Sequence, residues 1–289
     1  MTKILVTGAT GTVGNQVVRA LIERGAAVRA GARDRDKLSA LGELGAETVS
    51  LDYAQPDTVK AAFEGVDRVF LLTPFVEHDL PLVEAALSAA RAAGVSFVLR
   101  MSAIGASPDA PALLPKHHFE AEQAVRESGI DWAVIRPTFF ADNFLGAHRE
   151  SIAGQGVFYG AGGDGRSAYI SAVDIGASAA AILAEPGPHS GKIYELSGPS
   201  AVSDGEVAAA LSEVLGREVK FINVSADDFA AALRSQGLPE WMIDALVFLE
   251  ATVKANSYGG AVTPAVEQLT GRPPEPISAF FARHRARFG

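Results

Sequence analysis

The sequence predicts an α/β fold, with a doubly wound parallel sheet and a smaller, mainly helical C-terminal lobe. Three observations predict this class. Short β-branched runs alternate with amphipathic stretches, at the spacing of repeated strand–helix units. Apolar runs such as Val69–Leu72 are continuous, which is typical of strands covered on both faces. A glycine-rich segment, TGATGTVG, separates the first predicted strand from the first predicted helix.

Strands and helices alternate through the first half of the chain. The predicted strands are KILVTG, AVRAGAR, ETVSLD, DRVFLLTP, SFVLRMSA and DWAVIRP. Between them the apolar residues recur with the period of a helix. Helices are predicted over Asn15–Arg24, Asp34–Leu41, Pro56–Glu64, Leu80–Ala93 and His117–Ser128.

The alternation of strand and helix patterns is interrupted after Pro137, where the segment GQGVFYGAGGDGRSAYIS is rich in glycine and turn-prone. A helix over Asp174–Ala184 and a strand, KIYELSG, are predicted next. SDGEVAAALSEVLG and SADDFAAALRSQG each open with Ser and Asp near a helix start, where such side chains can cap free N–H groups. We therefore expect residues 1–150 to form the sheet domain. Residues from about 170 to 200 are expected to return to this domain and become part of it. Residues 201–289 are expected to form a lobe on the substrate side.

Composition narrows the classes of function. The net charge is −9 and no Lys/Arg cluster occurs, which argues against nucleic acid or an anionic membrane surface as the main partner. Cysteine is absent, so the chain has no disulfide framework, thiol nucleophile or cysteine metal site, and no metal site is predicted. No apolar run reaches ~18 residues, and the first residues lack the features of a signal peptide. The expectation is a cytoplasmic protein, and its oligomeric state stays open.

The glycine loop predicts a dinucleotide site. Gly8 permits a tight turn, Gly11 lets the backbone approach a pyrophosphate, and Gly14 lets the helix pack closely on the sheet. The helix N-terminus then offers free N–H groups to the phosphates. Because the loop follows a strand and opens a helix, residues 1–150 are expected to be an NAD(P)-binding Rossmann domain. The alternative is a packing turn without a ligand. The loop residues expected to contact the cofactor are Gly8, Thr10, Gly11, Thr12, Val13 and Gly14.

The end of the second strand, GARDRDK, bears on the choice of cofactor. Arg33 could clamp a 2′-phosphate and Lys37 could add a point charge, which favours NADP(H). Asp34 keeps NAD(H) as an alternative, since a carboxylate at this place bonds the ribose 2′-OH. Arg33 and Lys37 could also belong to a solvated surface turn.

Five segments occur in a specific order over residues 1–180: TGATGTVG, Arg33 with Lys37, SAIGA, HFEAEQAVRESGIDWAVIRP and AVDIG. In this order they resemble the atypical short-chain dehydrogenases of the NmrA-like group. Within that group the chain looks most like the triphenylmethane reductases and the NADPH quinone oxidoreductases. After residue 200 the resemblance is limited to length and helical character.

The resemblance also shows a departure from the ordinary short-chain dehydrogenases, whose pattern is Tyr-x-x-x-Lys with a glutamate four residues after the lysine. Anchoring on Glu122 puts His118 at the lysine position and Leu114 at the tyrosine position. No tyrosine occurs between Tyr53 and Tyr159, so a shift of register cannot restore the dyad. In the quinone- and dye-reducing members that this chain resembles, a histidine also stands at the lysine position.

The resemblance implies that His118 is the catalytic position. His118 could bond the nicotinamide ribose, as the lysine does; it could instead donate a proton, or be a surface histidine. His117 is expected to face another way and to be exposed. Other residues near the strand ends are expected to hold the cofactor: Asp52, Thr73, Pro74, Ser102, Pro137 and Thr138.

Aromatic residues could form the walls of an acceptor pocket that suits flat, apolar substrates. They are Phe75, Phe139, Phe140, Phe144, Phe158 and Tyr159. Core packing under the lobe is the alternative for each. PEWMIDALVFLEAT places Trp241, Ala245, Phe248 and Leu249 on one helical face, interpreted first as lobe core and second as a lid.

The predicted function is an NADP(H)-dependent reductase that transfers hydride to a planar apolar acceptor without a Tyr–Lys dyad. Its partner is then a small molecule: a quinone, a dye or an unsaturated carbonyl compound. A non-catalytic, NAD(P)-binding redox-sensing regulator is the alternative from another class. A third possibility is a carbonyl reductase or isomerase that uses Asp142 or Tyr159 as its acid.

Overall fold

The computed structural model describes residues 2–289. Its strands are β1 (Lys3–Val6), β2 (Ala27–Ala32), β3 (Glu47–Ser50), β4 (Arg68–Leu71), β5 (Phe97–Met101), β6 (Asp131–Pro137), β7 (Val157–Gly160), β8 (Arg166–Ser167), β9 (Lys192–Leu196), β10 (Val202–Ser203) and β11 (Lys220–Asn223).

The helices of the same residues are α1 (Thr12–Glu23), α2 (Ser39–Glu43), α3 (Pro56–Phe63), α4 (Leu80–Ala93), α5 (Leu113–Arg126), α6 (Asn143–Gly146), α7 (Arg149–Gln155), α8 (Ala172–Ala184), α9 (Asp204–Leu215), α10 (Ala226–Ser235), α11 (Glu240–Lys254), α12 (Ala265–Thr270) and α13 (Ile277–Arg283). Short 3₁₀ turns cover Arg35–Leu38, Gly187–His189 and Arg285–Arg287.

The main sheet has, within residues 2–289, seven strands in the order β3-β2-β1-β4-β5-β6-β9. All neighbouring strands pair in parallel. The strand order reverses between β1 and β4, and ligands bind in the crevice beyond the carboxyl ends of the strands at such a reversal. The predicted α/β class with a doubly wound sheet is confirmed.

Both faces of the sheet are covered, as the continuous apolar runs predicted. In β4, Phe70 packs into one core with α1 and α8, while Val69 and Leu71 pack into a second core with α3, α4 and α5. Successive side chains of a strand point to opposite faces, so a strand covered on both faces is mostly apolar along its length. Every residue of β5 is also buried, including Arg100.

Helices α1 and α8 approach closely because Gly176, in the AVDIG segment, has no side chain. A Cβ at Gly176 would lie 2.8 Å from the backbone carbon of Gln16. Helix α8 and strand β9 both lie within the predicted returning segment, residues 170–200. The division of the chain near residues 150 and 201 stays a prediction.

The C-terminal lobe surrounds a third core, in which Phe158, Leu211 and Phe281 are buried. Its small sheets pair β7 with β11 and β8 with β10. Both predicted serine caps are confirmed: the side chain of Ser203 accepts from the N–H of Glu206, and that of Ser225 from Asp228.

Several predicted helix ends need correction. Helix α1 begins at Thr12 instead of Asn15, directly after the glycine loop. Helix α5 begins at Leu113 instead of His117, since Pro115 falls in its first turn, where no backbone donor is needed. The predicted helix at 34–41 is a 3₁₀ turn followed by the short α2, and the Asp34 side chain caps that turn. No helix within residues 2–289 combines the length and apolarity that crossing a membrane requires.

Candidate active site at the carboxyl edge of the sheet

A cavity of about 410 Å³ lies at the carboxyl ends of β4, β5 and β6. The loop after β4, the start of α5 and helix α11 complete its walls. Many residues expected at a cofactor or acceptor site line this cavity: Thr73, Pro74, Phe75, Ser102, His118, Pro137, Thr138, Phe139 and Phe140.

The glycine loop lies beside this cavity and has the shape that a dinucleotide requires. Gly8 has a φ of +63°, in the left-handed region, and a Cβ there would also lie 3.3 Å from the Leu72 side chain, which lines the cavity. A Cβ at Gly14 would lie 2.2 Å from the Gly8 carbonyl oxygen, so only glycine permits this approach of α1.

The top of the loop is open to a ligand. Thr10, Gly11 and Thr12 are exposed where α1 begins, whereas the Val13 side chain is buried in the core, so only its backbone can meet a ligand. The free N–H groups of this helix start suit a pyrophosphate, and the loop therefore fits a dinucleotide.

The turn after β2 separates the charges that bear on cofactor choice. The Asp34 carboxylate accepts from the N–H of Asp36 at 3.1 Å and lies 3.7 Å from Lys37 Nζ. Asp34 is thus engaged by its own turn, while the exposed Arg33 is free to approach a 2′-phosphate. This arrangement suits NADP(H) better than NAD(H).

Asp52, expected near the cofactor, follows β3 and stabilises its own turn. Its carboxylate accepts from the N–H of Ala54 at 3.0 Å and from the Gln55 amide at 3.1 Å. Asp52 is not one of the cavity-lining residues.

Two charged residues that sequence reasoning missed form the floor of the cavity. Arg100 is 1% exposed and pairs with Asp79, and it also donates to Thr73 Oγ1 at 3.1 Å. Thr73 donates to Asp79 Oδ2 at 2.6 Å. Burial by itself would raise the pKa of Asp79, but Arg100 and the Thr73 hydrogen bond outweigh it and lower the pKa. The sequence feature that could have revealed this pair is the arginine inside the apolar run SFVLRM, because a buried charge requires a partner.

A second buried network fixes α5 beneath the cavity. Glu122 is fully buried and accepts from Ser102 Oγ at 2.6 Å, from Arg126 at 3.0 Å and from Arg136 at 2.7 and 2.8 Å. Ser102 lines the cavity, but its proton is committed to Glu122. A ligand would meet Ser102 as a hydrogen-bond acceptor.

His118 faces the cavity one helical turn after Leu114, which also lines it. Within residues 2–289 its buried Nδ1 has no hydrogen-bond partner, and such an atom normally has one. Burial and then the charge of Arg100 lower the pKa of His118 to about 4, so the ring is neutral at pH 7. A neutral ring suits hydrogen bonding to a ligand better than the delivery of a proton.

The expectation that His117 is exposed is wrong, because the cavity wraps around the start of α5. His117 is half-buried and lines the cavity wall. Its Nδ1 lies 2.6 Å from the carbonyl oxygen of Glu77, another cavity residue.

The aromatic walls also differ from the prediction. Phe144 and Phe158 pack edge to face in the lobe core, with ring centroids 5.4 Å apart, and do not belong to the cavity lining. Strand alternation turns Phe158 inward and Tyr159 outward, where Tyr159 is 44% exposed and away from the cavity lining. Side-chain direction on β7 and α6 thus removes Phe144, Phe158 and Tyr159 from the proposed pocket.

Helix α11 covers the cavity, so the lid interpretation fits better than lobe core. Phe248 and Leu249 line the cavity, and Trp241 meets Phe75 with ring centroids 5.2 Å apart. Phe75 remains 54% exposed. The proposed acid Asp142 accepts from the N–H of Ala172 and is also not part of the lining.

Comparison with known proteins gives consistent matches over nearly the whole chain. The sequence model of the NmrA-like family matches residues 1–273. The chain is 38% identical to an NAD(P)H azoreductase of Xenophilus azovorans, over 99% of each chain. It is similar to the crystal structure of an Escherichia coli NADPH-dependent quinone oxidoreductase complexed with NADPH, at a TM-score of 0.86 and 32% identity over 98% of this chain and 99% of the other. The Citrobacter sp. triphenylmethane reductase complexed with NADP(H) gives a TM-score of 0.85 and 25% identity over 97% and 99%.

Proposed function

Because the chain belongs to the NmrA-like family, we propose that its cavity is where a planar apolar acceptor receives hydride from NADPH. The chain is an NAD(P)H-dependent reductase, and its relatives act on azo compounds, quinones and triphenylmethane dyes by name. Its cofactor is NADP(H), with NAD(H) as the alternative.

The observation that carries the proposal is the composition of the cavity wall beside the glycine loop. Phe139, Phe140 and Phe248 give flat apolar surfaces, as a planar acceptor requires. Leu114 and His118 occupy the positions that a tyrosine–lysine dyad would need. The wall is therefore better suited to stacking against an acceptor and orienting it than to removing a proton from a substrate.

We propose that the cofactor extends from the glycine loop to His118. Arg33 and Lys37 would hold the 2′-phosphate, and residues 8–14 the pyrophosphate. The cavity residues Thr73, Pro74, Ser102, Pro137 and Thr138 would surround the nicotinamide end, with Asp52 on the adenosine side. Bound NADPH supplies the hydride.

In this proposal the protein holds cofactor and acceptor in place, and His118 orients the nicotinamide end of the cofactor. Its unpartnered Nδ1 provides the hydrogen bond that would fix the nicotinamide ribose. Fixing two reactants in a reactive geometry lowers the barrier without a protein acid. An acceptor that spreads the arriving charge needs no proton in the transition state, so neither Asp142 nor Tyr159 is required.

We further propose that the protein works in the cytoplasm, where metabolism regenerates NADPH, and that nucleic acid is not a partner. The net charge of −9 without a basic cluster supports the second statement.

The test is an NADPH oxidation screen with a quinone, an azo dye, a triphenylmethane dye and an enone. NADPH binding is first established by fluorescence. Turnover of at least one planar acceptor is expected, with NADPH preferred over NADH. Tight binding of NADPH with no turnover on any acceptor would favour the redox-sensing regulator instead.

A further inference from the structure

Three side chains with metal-ligating atoms meet at the rim of the cavity. They are His78, in the loop before α4, and His117 and Glu120, one turn apart on α5. One ligand atom from each lies within 4.8 Å of the others. The proposed reductase chemistry uses none of these groups.

His117 is held in the form that a metal requires. Its Nδ1 lies 2.6 Å from the Glu77 carbonyl oxygen, which can only accept, so Nδ1 carries the proton. The lone pair of a neutral ring then lies on Nε2. Metal-ligating histidines almost always donate their other N–H to a carbonyl or carboxylate, which fixes the ring.

His78 and Glu120 already stand at ligand spacing. The His78 Nε2 lies 3.1 Å from Glu120 Oε2. Two ligands of a tetrahedral Zn²⁺ are roughly 3.3 Å apart, given bonds of about 2.0–2.1 Å. The rings of His78 and His117 are close together and tilted, with centroids 4.4 Å apart and an angle of 34° between their planes. Small side-chain rotations would bring all three atoms onto one ion.

The position allows an ion to enter. The side chains of His78 and Glu120 are 46% and 48% exposed. A metal would therefore replace water-facing interactions there without opening the core. Two imidazoles and one carboxylate suit Zn²⁺ and related transition metals, whereas Mg²⁺ and Ca²⁺ prefer oxygen ligands.

We propose that His78, His117 and Glu120 bind a divalent transition-metal ion, Zn²⁺ by preference, with water in the fourth position. The sequence did not predict a metal site, because His78 and Glu120 are 42 residues apart in the chain. The fold brings them together where the loop before α4 meets α5.

Metal binding would also affect the cavity, a consequence that rests on the proposed function. His117 and Glu77 line the cavity wall, so an ion on His117 would tie the loop before α4 to α5 at the entrance. Zn²⁺ is expected to slow acceptor reduction, and to slow a cationic dye more than a neutral quinone because of its charge.

The direct test is calorimetric titration of untagged, chelator-treated full-length protein with ZnCl₂. One Zn²⁺ per chain is expected. His78→Ala and Glu120→Gln should each weaken binding about tenfold or more, because losing a direct ligand should cost at least as much as losing an outer-sphere partner, which typically costs 10–100-fold. Replacing Zn²⁺ by Co²⁺ should give the intense visible absorption of a four-coordinate site.

Matched controls lie outside the cluster. His189→Ala removes a histidine that contacts Tyr194, and Glu84→Gln removes an exposed carboxylate on α4. Both should bind Zn²⁺ like the parent chain. Circular dichroism establishes that the variants fold, and all four should reduce acceptors at the parent rate without metal.

The proposal is overturned if the parent chain takes up no stoichiometric Zn²⁺, or if His78→Ala and Glu120→Gln bind it as tightly as the controls. Binding is measured without turnover, so it stands whether or not an acceptor is found. Zn²⁺ binding with no acceptor turnover would count against the proposed function alone.

Discussion

Ser102 Oγ donates a hydrogen bond to Glu122 Oε1 across 2.6 Å, and this bond joins the cavity end of β5 to helix α5. The same carboxylate accepts from Arg126 and Arg136. Glu122 is fully buried, so its charge is stabilised entirely by these donors. The helix that carries His118 is therefore held against the sheet from below.

Removing Glu122 should destabilise the protein strongly. Glu122→Ala leaves Arg136 and Ser102 without their acceptor, and breaking a buried pair in this way costs about 3–5 kcal/mol. Glu122→Gln keeps two polar atoms and should cost less. Urea unfolding measures both, with Glu127→Ala as an exposed control directly after the same helix that should change stability by about 0.5 kcal/mol or less. Equal stability of Glu122→Ala and the control would contradict the network's role.

Arg33→Ala should weaken NADPH binding by roughly 10- to 100-fold, the value of one charge-assisted bond of about 1.5–3 kcal/mol. NADH binding should hardly change, because NADH lacks the 2′-phosphate. Lys37→Ala should have a smaller effect, since Lys37 lies 3.7 Å from Asp34. Fluorescence titration with both nucleotides measures this. Equal losses for NADPH and NADH would show that Arg33 does not contact the phosphate.

His118→Ala should impair the placement of the cofactor. The ring offers an unpartnered nitrogen to the cavity, and its removal takes away a hydrogen bond worth about 0.5–1.5 kcal/mol. His118→Asn, which keeps a polar group, should retain part of the function. Single-turnover reduction of a quinone measures the hydride step separately from binding. A fully active His118→Ala variant would show that His118 has no role in placing the cofactor.

Oxidation of secondary alcohols with NADP⁺ should be far slower than reduction of quinones or cationic dyes. Leu114 stands where a tyrosinate would remove the alcohol proton, and general acid–base assistance is worth roughly 10²–10⁴-fold. Both directions are measured on one preparation with cofactor binding established first. Rapid alcohol oxidation would mean that another residue acts as the base.

Stability should fall as pH rises through the titration of the buried carboxyl of Glu250. Burial and then the nearby Asp204 raise the pKa of Glu250 above its usual 4.5. The folded state therefore holds this proton more tightly than the unfolded chain, so the contribution is complete below the unfolded pKa and lost above the folded one.

Glu250→Gln stays neutral at every pH and can still accept from the N–H of Ala161. Its loss of stability between about pH 4, below the usual pKa of a glutamate, and about pH 8 should be smaller than that of the parent chain. The midpoint of urea unfolding at both pH values measures this, with Glu213→Gln as an exposed control. An identical pH dependence in the Glu250→Gln variant would show that Glu250 is not the responsible group.

The sequence by itself determined the alternation of strands and helices in the first half of the chain and the position of the glycine loop. Helix Leu80–Ala93 and strand Asp131–Pro137 are observed as predicted. These features depend on local properties: the period of apolar residues, the conformational freedom of glycine and the capping of helix starts. Each can be recognised within a few consecutive residues.

Only the tertiary structure decided which side chains meet in the cavity. The pair formed by Arg100 and Asp79 and the cluster around His117 join segments that are far apart in the chain. Phe144 packs into the lobe core and Tyr159 is exposed, and neither lines the cavity. Local periodicity tells which faces of an element are apolar. Which of those faces packs against a core and which lines a cavity depends on contacts between distant segments, and these form only when the whole chain folds.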